Sequence, residues 1–358
     1  MPSFAYHPRF AGHSVRCNPW VPNQFIIATG DNFGVTGSGK VYVVQASPNL
    51  IEGPLQPLGC IGTSDGAFDA CFSELDPSIV VVGCGDGVKM YQLAQSMNRD
   101  GAMPLTHSME HNGEVCCVCW NQVTKDTFYS GSWDGSLKVW SAAQPQQSVL
   151  TLHEHLKELN EVSPSTKDPN LLLSCSSDGF WRLWDKRRGV QSVMGVPGHQ
   201  NQIILSIDWN KYDGNCFATG GVDRMVKIWD LRRPQREVLP LRGHEGPVRR
   251  VRFSPHARTQ LASAGYDFRV CAFDLTRPQN PLTHRYEQHR EFVVGLEWSL
   301  CTPMGIVSAS WDGLTYAWLL GQPPTPSHQT QQPLPPCVPP PRTQMARPGR
   351  MGGRVGPL

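Results

Sequence analysis

An excess of charge of one sign is missing from this sequence: 32 basic residues face 30 acidic ones, a formal net charge of +2. A surface that coats polyphosphate usually shows a marked basic excess, so nucleic acid is not expected as a partner. Long apolar runs are missing too. No stretch approaches 18 apolar residues without a charge or a turn former, and no direct membrane insertion is expected. The segment Met1-Pro-Ser-Phe-Ala-Tyr-His7 has neither the basic region nor the apolar stretch of a secretory signal. Gly356-Pro-Leu358 does not resemble a Ser-Lys-Leu address, and no Asn-x-Ser/Thr acceptor occurs. The 12 cysteines run from Cys17 to Cys337, mostly inside apolar stretches rather than at framework spacings, which suits a reducing, cytoplasmic compartment. What is abundant is glycine (34) and proline (31), the composition of a turn-rich all-β chain.

The chain repeats itself. Ser130-Gly-Ser-Trp-Asp134 leads to Trp140, Ser174-Cys-Ser-Ser-Asp178 to Trp184, and Thr219-Gly-Gly-Val-Asp223 to Trp229. Ser263-Ala-Gly-Tyr-Asp267 leads to Phe273, and Ser308-Ala-Ser-Trp-Asp312 to Trp318. The aspartates are 44, 45, 44 and 45 residues apart, and His111, His155, His199, His244 and His289 stand 23 or 24 residues before them. Strand periodicity fills the stretch between each aspartate and its aromatic, as in Leu137-Lys-Val-Trp140. The pattern resembles WD-repeat propellers. There the four residue types form a buried relay, aspartate to histidine to hydroxyl to tryptophan N–H, in which every polar group needs its partner. Phe273 has no N–H, so the relay of blade six is expected to be one bond short.

Two weaker repeats precede these five. Ile79-Val-Val-Val-Gly-Cys-Gly-Asp86 leads to Tyr91, with Asp65-Gly66 where a Gly-His pair would stand. Gly12-His13 opens the first repeat, with strands at Phe25–Thr29 and Lys40–Val44. Seven repeats of about 45 residues predict an all-β, seven-bladed WD-repeat β-propeller over residues 1–320. The stretch Phe4–Phe10 is expected to pair with the last blade and close the ring. Residues 321–358 hold eleven prolines, four arginines and no acidic residue, and are expected to be a disordered Pro/Arg-rich tail.

Three motifs invite other readings. Gly34-Val-Thr-Gly-Ser-Gly-Lys40 approaches a phosphate loop, but Val41 stands where Ser/Thr should hold magnesium, and a strand rather than a helix is expected next. Cys116-Cys-Val-Cys119 lies in a predicted strand, where residues three apart face opposite ways, and no second ligand pair follows. No metal or cofactor is expected. The Ser, His and Asp sets look like hydrolase triads, but a set present in five blades is better read as the relay. No enzyme activity is expected.

The histidine loops and the aspartate turns belong to one face, the top. Directly after the histidines stand Glu114, Glu158, Glu245 and Glu291, with Asp65 and Asp69 in the equivalent stretch of blade two. Immediately before three of the aspartates stand Trp133, Tyr266 and Trp311. Carboxylates among large aromatics suit a cationic, partly apolar ligand such as a basic amphipathic helix. These are the candidate peptide-binding residues.

Finer segments narrow the family. Asn32-Phe-Gly-Val-Thr-Gly-Ser-Gly-Lys-Val41, Asp65-Gly-Ala-Phe-Asp69, Ser130-Gly-Ser-Trp-Asp134, Asp208-Trp-Asn-Lys-Tyr212, Arg249-Arg-Val-Arg-Phe-Ser-Pro-His256 and Tyr266-Asp-Phe268 together resemble the peroxin-7 family, over roughly residues 10 to 320. The resemblance implies a receptor for cargo proteins bearing an N-terminal, type-two peroxisomal targeting signal, Arg/Lys-Leu/Val/Ile-x5-His/Gln-Leu/Ala. It implies a co-receptor (a long form of the type-one signal receptor or a dedicated partner) and a peroxisomal docking complex. It further implies a monomer that cycles between cytoplasm and peroxisome or a related organelle. Asp65 and Glu114 are the first choices for the cationic end of the signal. The alternative is a substrate adapter of a cullin-type ubiquitin ligase, on Trp184-Asp-Lys-Arg187 and Trp229-Asp-Leu-Arg232.

Overall fold

The computed structural model describes residues 3–5, 10–34, 37–48, 50, 54–93 and 102–321. The tail expected beyond residue 321 lies outside the described residues. Within them the chain forms seven four-stranded antiparallel sheets. Six are built from four consecutive strands, beginning at Phe10–Cys17, Ala67–Phe72, Val115–Trp120, Leu159–Pro164, Ile204–Trp209 and Val248–Phe253. The seventh takes Val293–Trp298, Gly305–Ser310 and Leu314–Leu319 and borrows Ser3–Ala5 as its outer strand. Ser3 pairs with Tyr316 and Ala5 with Leu314, so the first and last strands close the ring as expected. The boundary differs from expectation: Phe10 starts the innermost strand of blade one and pairs with Asp31.

Each innermost strand packs against the two beside it, and the first against the last. The sheets are apolar on both faces because each is covered by its neighbours. Trp140, Trp181, Trp184, Trp209, Trp229 and Trp298 are all buried between them. At about 1.5–3 kcal/mol for each large apolar side chain removed from water, this inter-blade packing is the main stabilising term.

All seven innermost strands carry a β-bulge near their start. The bulged residues are His13, Phe68, Cys116, Asn160, Leu205, Arg249 and Val294. A bulge re-aims one side chain out of the alternating pattern, here at the upper end of the channel.

Candidate functional site on the top face

The relay is built as the spacing requires. In blade four His155 Nδ1 lies 2.9 Å from Asp178 Oδ2, and its Nε2 lies 2.8 Å from Ser174 Oγ. Trp184 Nε1 donates to that oxygen at 2.8 Å. A carboxylate only accepts, so Nδ1 carries the proton, Nε2 accepts from the hydroxyl, and the hydroxyl accepts from tryptophan. Blade three repeats this with Asp134, His111, Ser130 and Trp140, and blade five with Asp223, His199, Thr219 and Trp229. Burial alone would raise the Asp178 carboxyl, but His155 together with the N–H groups of Phe180 and Leu156 outweighs it and holds it down at about 2.

Blade six joins Asp267, His244 and Ser263 and stops there, as Phe273 requires. Blade seven departs from expectation. His289 bridges Asp312 and Ser308, both at 2.9 Å, but Trp318 Nε1 is buried without a hydrogen-bond partner among the described residues. Its ring is instead stacked on Tyr286, centroids 4.6 Å apart.

Blades one and two dispense with the relay. Their strand register puts Ile27 and Val82 at the hydroxyl position and Val44 and Tyr91 at the tryptophan position. Thr63, not Asp65-Gly66, occupies the histidine position of blade two, five residues before the bulged Phe68 as His111 is before Cys116. Gly12-His13 likewise is not a relay pair, because His13 is the bulged residue of the innermost strand.

On the top face the turn ahead of each aspartate is tied to the loop entering the same blade. Trp133 N–H donates to the Glu114 carbonyl at 2.9 Å, Tyr266 to Pro247 at 2.9 Å and Trp311 to Phe292 at 3.0 Å. The aromatics therefore stand beside the acidic loops. Their rings form one continuous arc. Trp133 meets Phe68 at 5.3 Å, Phe68 meets His13 at 5.3 Å, and His13 meets Trp311 at 6.1 Å. Trp311 contacts Phe33 at 5.0 Å and Phe292 at 5.2 Å, and Phe292 contacts Tyr266 and Phe268. The arc spans blades three, two, one, seven and six.

Of the arc, Trp133, Tyr266 and Trp311 were legible in the sequence; His13, Phe33, Phe68, Phe268 and Phe292 were missed. Asn32 and Phe33 both have left-handed backbones, φ 47° and 59°, a conformation unfavourable for side-chain-bearing residues. It holds the Phe33 ring on the surface, 53% exposed. Gly34, at φ 80°, lets this loop close on the channel mouth, since a Cβ there would lie 2.8 Å from the Phe68 ring. The loop's glycine thus serves close packing. A strand, Gly39–Gln45, follows the phosphate-loop-like segment.

Two polar atoms in the arc, His13 Nε2 and Trp311 Nε1, are buried with no hydrogen-bond partner among the described residues. Burial, reinforced by Arg249 and Arg250, lowers the His13 pKa to about 3, so its ring is neutral at physiological pH and one nitrogen can accept.

The acidic candidates separate. Glu114 is half-buried and Glu158 and Glu291 are exposed, and none of the three forms an ion pair among the described residues. Asp65 is half-buried and accepts from its own turn, Gly66 N–H, at 2.7 Å. Glu245 is tied to Arg269 at 2.9 Å. Asp69 does not reach the face at all. It is buried in the channel, 3.0 Å from Arg16 and accepting from Val118 N–H. Burial would raise its pKa, but Arg16 and Arg250 hold it below the usual carboxylate value. It belongs to a channel ion network in which Glu161 accepts from Arg250 at 2.6 Å and Arg252 at 2.7 Å.

Cys116 and Cys119 do not converge: their sulfurs approach the carbonyls of Leu159 and Val162. Arg187 and Arg232 are exposed, each folded onto the aspartate two residues before it, at 2.7 and 2.6 Å. No helix among the described residues is long and apolar enough to cross a membrane.

Residues 103–141, 146–185, 190–230 and 235–274 match the model of the WD domain, G-beta repeat. The chain is 36% identical to Peroxisome biogenesis protein 7 of Arabidopsis thaliana over 88% of its own length and 97% of that protein's. It is 35% identical to the Peroxisomal targeting signal 2 receptor of Dictyostelium discoideum, covering 82% of this chain and 90% of the relative. With the receptor of the same name from Saccharomyces cerevisiae the identity is 29%, over 87% and 98%. With a seven-bladed ring, a His–Asp–hydroxyl relay in five blades and relatives alike over nearly their whole length, the chain belongs to the family of peroxisomal targeting signal 2 receptors.

Proposed function

We propose that this protein is an import receptor that binds the helical, type-two peroxisomal targeting signal of cargo proteins on its top face and delivers them to peroxisomes with a co-receptor. The observation that carries the reading is the aromatic arc with Glu114 and Glu291 beside it. A helix of the form Arg-Leu-x5-His-Leu has a basic residue for a carboxylate and an apolar stripe for the rings. Seven residues at 1.5 Å rise put its two anchor pairs about 10 Å apart on one side, a span suited to an arc of several rings rather than one pocket. Glu114, Asp65, Trp133, Tyr266 and Trp311 remain in the proposed contact set, and Phe33, Phe68 and Phe292 join it. Glu158 stays in the set from the entry loop of blade four, the blade after the one in which the arc ends. Asp69 acts from below by fixing Arg16. The receptor works without catalysis, moving between cytoplasm and peroxisome and engaging a docking complex there.

The test is equilibrium binding of a labelled Arg-Leu-x5-His-Leu peptide to the purified protein, with and without a co-receptor fragment. Binding that the co-receptor tightens, and that Glu114→Lys weakens about tenfold or more, is expected. No binding even with co-receptor, together with capture of a ligase linker protein that Arg187→Ala and Arg232→Ala abolish, would replace this reading with the ligase adapter.

A further inference from the structure

The turns that follow the seven innermost strands lie on the bottom face, opposite the aspartate turns, and they are built alike. In every blade an Asn or Ser one residue past the strand, from Asn18 in blade one to Ser299 in blade seven, accepts from the backbone N–H two residues on, at 2.8 to 3.3 Å. The residue held in this way is exposed in all seven blades. In blades one, two, three and five it is Trp20, Leu75, Val123 and Tyr212; in blade four it is Lys167. Equivalent positions in a ring of like blades stand at one height, so these apolar tips share a plane. They are also stiff. Trp20 Nε1–H donates to the Ser73 carbonyl at 2.8 Å, and the Tyr212 hydroxyl to the Pro255 carbonyl at 2.7 Å. Side chains fixed in advance lose little freedom when a partner arrives.

Outside these tips, on the turns of the outer strands, runs a row of arginines. Arg188, Arg233 and Arg277 each stand three residues after the aspartate that ends the third strand of blades four, five and six, Asp185, Asp230 and Asp274. Each aspartate is met inside its own turn. Arg187 pairs with the first at 2.7 Å, Arg232 with the second at 2.6 Å, and the Thr276 hydroxyl donates to the third. The neighbouring carboxylates are taken as well: Asp168 by Arg187, Asp208 by Lys211, Asp213 by Arg258 and Glu237 by Lys227. On blades two and three Glu74 pairs with Lys125, and Asp76 and Asp126 accept from Ser78 and Thr124. Five exposed cations are left over, Lys167, Arg188, Arg233, Arg236 and Arg277, with no ion pair among the described residues. Residues 322–358 carry four arginines and no acidic residue, so that segment does not supply the counter-charge. We infer that the bottom face seats the protein on an anionic lipid surface. Trp20, Leu75, Val123 and Tyr212 enter the headgroup layer, and the arginine row meets the lipid anions. An acidic peptide along the row would leave the tips of blades one to three idle, whereas a planar charged surface meets both sets at once.

The test is co-sedimentation of the full-length protein with phosphatidylcholine vesicles, with and without phosphatidylserine, over a series of salt concentrations. Binding is expected to the anionic vesicles only and to weaken as salt rises. The triple variant Arg188→Gln/Arg233→Gln/Arg277→Gln should lose about fivefold for each arginine, on the order of a hundredfold together. Trp20→Ala/Tyr212→Ala should also bind more weakly but keep the salt dependence, because no charge is removed. Both variants should retain the circular-dichroism spectrum and the signal-peptide affinity of the unaltered protein, since neither alters the top face. Equal sedimentation with neutral and anionic vesicles overturns the inference, as does full affinity in either variant. Failure to sediment, together with binding of a fluorescein-labelled hexaglutamate peptide that the triple variant abolishes, overturns it in favour of an acidic protein segment. Vesicle binding and signal-peptide binding are read separately, so failure of this face and failure of the receptor reading are distinguishable.

Discussion

Blades three to five and blades one and two solve the same packing problem with opposite chemistry. In the first group a histidine, a hydroxyl and a tryptophan are locked below an aspartate turn. In the second the same register positions hold Ile27 with Val44 and Val82 with Tyr91, which need no polar partners. The blades with the relay have their histidine committed to structure. Blade one, without it, places His13 and Phe33 at the channel mouth, and blade two places Phe68 there. Regular blades make the ring; irregular ones make the arc on it distinctive.

The largest effect that sharpens this contrast is expected at Asp178. Asp178→Ala strands His155 and the N–H groups of Leu156 and Phe180 and should destabilise by about 1–3 kcal/mol. Tyr91→Phe, at the tryptophan position of blade two, removes a hydroxyl that no relay uses and should cost under about 1 kcal/mol. Urea unfolding followed by tryptophan fluorescence compares them, and equal losses would erase the distinction. The sign with pH follows. The Asp178 pKa falls from 3.8 to about 2 on folding, so its contribution is complete above pH 4 and is lost as pH drops toward 2. The gap between the unaltered protein and Asp178→Asn should narrow over that range.

A smaller effect separates relay blades from one another. Trp140→Phe removes a hydrogen bond to Ser130 at 2.8 Å, whereas Trp318→Phe removes none. The first should cost about 1 kcal/mol more than the second. Equal unfolding midpoints would mean that the ring, not its N–H, carries the effect.

A further difference among the relays, read as a pH dependence, concerns blade six. Burial works against a proton on His244, but the Asp267 hydrogen bond and Cys271 outweigh it and raise its pKa from 6.5 to about 9. Stability from this group is complete below pH 6.5 and is lost as pH rises through 9. The unfolding midpoint should therefore fall between pH 6.5 and 9.5 more in the unaltered protein than in His244→Gln; parallel curves would contradict the assignment.

The five relays were legible because buried polar groups tolerate few substitutes, and a fixed register imposes fixed spacing. The arc was only half legible. Trp133, Tyr266 and Trp311 sit beside the relay aspartates and stand out, but Phe68 and Phe292 look like core phenylalanines until the turn and bulge geometry is known. Asp69 misled for the same reason. Two residues after Ala67 it reads as a loop acid, yet the bulge at Phe68 turns it into the channel toward Arg16. Charge pairs such as Arg250 with Glu161, 89 residues apart, leave no trace in local pattern. The unpartnered Trp318 N–H was invisible too, since the residue type matches the relay and only the ring's placement departs from it.

The central claim is that the top-face arc, and not the relay loops as such, receives the targeting signal. Its most direct test is the dissociation constant of the Arg-Leu-x5-His-Leu peptide for three proteins: unaltered, Phe33→Ala, and Glu245→Ala. Phe33 is an exposed ring of the arc, while Glu245 is a loop acid already paired with Arg269. The account predicts a loss of about tenfold for Phe33→Ala and no change for Glu245→Ala. An unchanged constant for Phe33→Ala, or a loss confined to Glu245→Ala, would contradict it.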